Sequence, residues 1–112
     1  MTLVEICVDD VAGARTAEQA GADRVELCAD LLEGGITPSA GMIERTLAAV
    51  TRVGVQVLVR PRGGDFRYDA DEVAVMRADI RAARAAALGA PVPVGFVPVS
   101  YTHLTLPTIL RV

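Results

Sequence analysis

The chain has 112 residues, enough for a single domain. It is 52% apolar, with eleven basic and fourteen acidic side chains for a net charge of −3. That balance gives no electrostatic reason to expect nucleic acid. Every basic residue is arginine, which with the many Ala and Val residues reflects GC-rich coding more than function. The apolar runs fall short of the ~20 residues of a membrane span. Met1 leads straight into an amphipathic strand containing Glu5, which does not read as a signal peptide. Cytoplasmic location is the expectation, with no membrane and no nucleic acid as partners. Two cysteines, Cys7 and Cys28, do not make a disulfide framework, and a reduced thiol pair is expected over a bridge.

Leu3 to Val8 reads as a strand, and Asp9 or Asp10 can cap a helix over Val11 to Ala20 that ends at Gly21. Asp23 to Ala29 is a second strand. Leu31 to Ser39, LLEGGITPS, is a loop punctuated by glycines and a proline. Ser39 caps a helix over Ala40 to Arg52, with an apolar stripe of Met42, Ile43, Leu47 and Val50. Val55 to Arg60 is a third strand, followed by the loop Pro61 to Asp69. An Ala-rich helix runs over Asp71 to Leu88 and stops at Gly89. Val92 to Val97 is a candidate fourth strand, although Pro93 argues against a central, fully paired one.

The order βαβαβαβ predicts parallel strands joined by right-handed helical crossovers. Alternation along the strands then sorts the side chains. Val4, Ile6, Val25, Leu27, Val55, Val57 and Val59 fall on one face. Glu5, Cys7, Glu26, Cys28, Gln56, Leu58 and Arg60 fall on the other. A doubly wound sheet would be greasy on both faces. One greasy and one polar face suits a barrel, with helices outside and the polar set lining the interior. The near-repeat of VEIC (Val4 to Cys7) and VELC (Val25 to Cys28) places Glu5 beside Glu26 and Cys7 beside Cys28. Two neighbouring carboxylates need a proton or a cation, and Arg60 is the expected cation. A satisfied interior network without chemistry is an equal reading of these charges.

The tail is of another composition. From Pro91 onward there is no Ala and no acidic residue, and Arg111 is the only charged side chain. SYTHLTLPT (Ser100 to Thr108) resembles a translated sequencing adapter. The expectation is therefore a partial barrel over residues 1–98 and a non-native tail over 99–112, which removes the lone His103 as a ligand or base.

LVEIC (Leu3 to Cys7), GADRVELC (Gly21 to Cys28), EGGITPS (Glu33 to Ser39) and RPRGGDFRY (Arg60 to Tyr68) together resemble the amino-terminal part of the copper homeostasis protein CutC family. The resemblance runs from about residue 3 to residue 90. It implies an α/β fold, an incomplete (β/α)8 TIM-type barrel of three βα units plus the candidate fourth strand. It also implies a cytosolic copper-handling role. Carried onto this chain, the metal candidates are Cys7 and Cys28, with Cu(I) as the ion. Cu(I) favours soft thiolates, and thiols at matching positions of neighbouring strands lie ~5 Å apart at Cα. The same spacing permits a disulfide, and two small buried hydrophobes remain the plainer reading. A homo-oligomeric parent stays open.

The loops after strands two and three fall at the carboxyl ends, where barrels of this kind place their sites. Arg60, Arg62 and the amides of Gly63 and Gly64 can converge on a small anion, with Asp65 orienting an arginine and Glu33 on the same rim. The alternative function is thus an enzyme of unknown reaction on an anionic substrate, with Glu5 or Glu26 as acid or base. A third reading is that a barrel unable to close is inactive.

Overall fold

The computed structural model describes residues 2–99. The tail from Ser100, including His103, lies outside the described residues. Four strands, β1 (Glu5–Val8), β2 (Arg24–Leu27), β3 (Gly54–Val59) and β4 (Val94–Pro98), form one parallel sheet in the order β1-β2-β3-β4. Helices α1 (Val11–Gln19), α2 (Ala40–Ala49) and α3 (Ala70–Ala87) connect them, and a short 3-10 turn, Leu31–Glu33, sits in the second loop. Each crossover moves one strand in the same direction, so all three helices lie on one side. That singly wound order is the arrangement of a barrel wall.

Local chemistry sets the helix ends. Asp10 caps α1 by accepting from the Gly13 amide at 2.5 Å. Ser39 caps α2 through the Met42 amide at 3.0 Å. Asp69 and Glu72 form a reciprocal capping box at the start of α3. The second helix stops at Ala49, three residues before the expected Arg52. Val50 is extended, and the next three amides are already taken: Glu18 on α1 accepts from Thr51, Arg52 and Val53. These bonds hold the Glu18 carboxyl below its ordinary range, the Val53 amide contributing most.

The helix-facing side of the sheet is the core. Val8, Val25, Leu27, Val55 and Val57 pack with Ala14, Ala17, Ile43, Leu47, Val50, Val53, Ala83 and Val92. Burying each of the larger aliphatics stabilises by about 1.5–3 kcal/mol. A second, small cluster of Cys28, Leu58 and Val97 forms on the opposite face. Pro93 does not prevent pairing: it precedes β4, and its carbonyl accepts from the Val55 amide at 2.9 Å.

Candidate functional site

The polar face carries the expected residues in a different vertical order. Asp23 pins the first strand, accepting from the Val4 amide at 2.8 Å, while the Asp23 and Arg24 amides donate to the Val4 carbonyl. The resulting register pairs Glu5 with Arg24 and Cys7 with Glu26. The two tetrapeptides are thus offset by two residues, as the stagger of barrel strands requires. An even offset preserves which face a side chain occupies and changes only its level. Glu5 does not sit beside Glu26, and Cys7 is not level with Cys28. Nor is Arg60 the cation for Glu5: Arg24 Nε lies 3.2 Å from Glu5 Oε1. Arg24 has the same parity as Glu26, so the alternation of strand two carried that signal.

The face is therefore layered. Glu5 and Arg24 form the lowest level. Above them Cys7, Glu26 and Gln56 are aligned, with Gly95 beside Gln56 on β4. Cys7 Sγ is 3.9 Å from Glu26 Oε1. Cys7 is exposed, whereas Glu26 is buried. The next level is apolar: Cys28 packs with Leu58 and Val97 and donates its thiol to the Val8 carbonyl at 3.5 Å. Burial above all pushes the Cys28 thiol up to about 11, assisted by Cys7, Glu26 and Asp9 nearby.

Arg60 forms the top level and is buried. Its Nη1 donates to the carbonyls of Glu33 at 2.5 Å and Gly35 at 2.9 Å, and its Nη2 to Gly64 at 2.9 Å. Its Cζ lies 4.9 Å from the centre of the Phe66 ring. Arg62 turns outward to Glu72 and Asp65, to the carbonyls of Gly63, Asp65 and Arg67, and lies over Tyr68. Most donors of the two arginines thus already serve loop carbonyls and carboxylates. Asp65 does orient Arg62, at 3.1 Å. Glu33 reaches across to Gly63, where an added Cβ would come within 2.7 Å of its Oε2. Tyr68 closes the rim by donating to the Val99 carbonyl at 2.7 Å. The roles of Gly35, Phe66 and Tyr68 depend on how the two loops dock, and no local pattern announced them.

Among the described residues, no group of three or more His, Cys, Asp or Glu side chains has the geometry to hold a metal ion. The soft donors on the face are the two thiols. A surface groove of about 530 Å³ along α3, lined by Tyr68, Val73, Arg77 and Arg81 among others, shares no residue with the thiol level. No described helix is long and apolar enough to cross a membrane.

Comparison with known proteins agrees with this architecture. The CutC family model matches residues 2–100. A CutC family protein of Agrobacterium fabrum is 57% identical over 86 residues, covering 77% of this chain and 34% of that protein. The human copper homeostasis protein cutC homolog is 52% identical over 82 residues, covering 73% and 30%. The crystal structure of the CutC protein from Streptococcus agalactiae superimposes with a TM-score of 0.80 at 32% identity, over 92% of this chain and 48% of that one. The chain spans about a third of the length of these curated relatives. Four parallel strands with three outer helices form part of the TIM-type barrel, and the chain belongs to the CutC family.

Proposed function

We propose that this chain supplies part of a copper-handling protein of the cytoplasm, with Cu(I) as cargo carried by Cys7 and Cys28. The observation that carries this reading is their placement: both lie on the polar face of adjacent strands, with Glu26 level with Cys7 and two residues before Cys28. Thiolates are the ligands Cu(I) favours, and two of them satisfy it. The offset places the sulfurs on a diagonal, so closing them on one ion requires a side-chain rotation or a small shift at Cys28. Cys7 is the exposed thiol and takes the ion first. A reducing compartment keeps both thiols from forming a disulfide. The human and mouse relatives are named as copper homeostasis proteins, which favours copper as the metal.

The test is an anaerobic Cu(I) titration of the full chain against a chromophoric chelator. One ion per chain is expected, with affinity falling at least about tenfold in Cys7→Ser and in Cys28→Ser. Unchanged stoichiometry and affinity in the double variant reject the reading.

A second reading has one observation in its favour. Arg60 Nε is buried without a hydrogen-bond partner among the described residues. A small anion at this mouth, beside Arg62, Gly63 and Gly64, would use that donor, with Glu26 as the acid or base. Glu5 is less suited, being tied to Arg24. Thermal stabilisation by inorganic phosphate that vanishes in Arg60→Met supports this enzyme reading; no stabilisation up to millimolar phosphate removes it.

A further inference from the structure

Cys28 is 1% exposed: it packs with Leu58 and Val97, and the main chain at Gly35 lies against its thiol. The loop after β2 is closed at its base, where Ala29 and Ile36 exchange two backbone bonds of 2.9 and 2.8 Å. Between them Asp30, Gly34 and Gly35 take positive φ values of 52°, 85° and 95°, which folds the segment back over the sheet. Gly35 then lies directly on the apolar level. A Cβ added there would be 2.8 Å from Leu58 Cδ2 and 3.5 Å from Cys28 Sγ. Only a glycine fits both that space and that backbone angle.

Little in the loop tip itself keeps it down. Leu32 is fully exposed and Leu31 is 43% exposed. The tip is held instead by Arg60, which donates to the Glu33 and Gly35 carbonyls from one nitrogen and to Gly64 of the neighbouring loop from the other. The base has its own anchor, since Thr37 and Arg60 exchange bonds through the Thr37 hydroxyl and both main chains. The loop therefore has a fixed root and a tip whose hydrogen bonds to the neighbouring strand and loop come from the Arg60 side chain.

We propose that Glu33 to Gly35 form a cover over the Cys28 thiol, latched by the Arg60 guanidinium, which must lift before Cys28 can engage a soft metal ion or a thiol reagent. Arg60 is on this view a positioning residue. The inference rests on the copper reading only for the identity of the ion that passes beneath the cover. Bonds from a charged guanidinium to carbonyls are charge-assisted, so the latch holds in the native state, and opening it exchanges three bonds for bonds to water in a local event that leaves the sheet paired.

Alkylation by iodoacetamide at pH 8 tests this on the full chain carrying Cys7→Ser, so that Cys28 alone reports. Slow modification is expected with Arg60 native. In Arg60→Met, which keeps the side-chain length but removes the donors, the rate should rise at least about tenfold. Gly35→Ala should raise it independently by displacing the tip, and serves if the arginine variant does not fold. Far-UV circular dichroism and the urea midpoint check that the sheet persists. The urea dependence of the rate should be shallow, as for local opening. A native-state rate equal to that of the unfolded chain overturns the cover. So does a rate within twofold of native in both variants, or a steep urea dependence that tracks global unfolding. Failure of Cu(I) binding would sink the copper reading and leave the alkylation result standing; unchanged alkylation would do the reverse.

Discussion

Val4–Cys7 and Val25–Cys28 are almost the same four letters, yet they occupy opposite situations. The first lies at the sheet's edge, with Val4 48% and Ile6 37% exposed and Cys7 open. The second is flanked by strands on both sides, and Val25 and Leu27 are completely buried. The glutamates differ too: Glu5 pairs with Arg24, whereas Glu26 lies buried beside Cys7. One thiol is exposed and the other is buried. The composition of a strand therefore sets which way its side chains point, and its neighbours set what each side chain experiences. On the proposed copper reading, that division would make Cys7 the entry thiol and Cys28 the guarded one.

The comparison can be broken most directly by truncating equivalent aliphatics. Leu27→Ala should cost about 3 kcal/mol and Ile6→Ala about 1 kcal/mol in urea unfolding, because only the former leaves a closed cavity. Equal costs would mean that β1 is covered as fully as β2. A somewhat smaller effect concerns pH. The Cys28 thiol titrates higher in the folded chain, about 11 against an ordinary 9.0, so the native state retains a proton that the unfolded chain loses. Stability is complete below about pH 9 and falls as pH rises toward 11, by an amount of order 2 kcal/mol. Cys28→Ala should flatten that fall, whereas Cys7→Ala should only soften it, because burial is the larger cause and Cys7 the lesser one; equal effects would erase the distinction between the thiols. The smallest expected effect is the coupling of Glu5 and Arg24, about 0.5–1 kcal/mol in a double-mutant cycle and weaker in high salt. A coupling near zero would show that the ion pair follows the register and that Asp23 alone sets it.

Much of this was legible in the residues. The helix-facing valines and the polar set of Glu5, Cys7, Glu26, Cys28, Gln56 and Arg60 follow from alternation, which needs only extended backbone. Ser39 as a cap and Gly89 as a stop follow from local hydrogen bonding and backbone freedom. The capping box at Asp69 and Glu72 was equally local, and its spacing was there to be read. The layering was not. It depends on Asp23 gripping Val4, a contact nineteen residues apart. The early end of α2 likewise depends on a carboxylate from α1, and the engagement of Arg60 on which carbonyls the docked loops present.

By itself, then, the sequence determined the succession of strands and helices, the side of the sheet to which each residue belongs, and the family. Periodicity and local capping act within a few residues, so these are written into short segments. The tertiary structure decided the level of each side chain within the polar face, the partner of each charge, and the burial of one cysteine but not the other. Those outcomes turn on strand stagger and loop docking, where groups far apart in the chain compete for the same donors, acceptors and space.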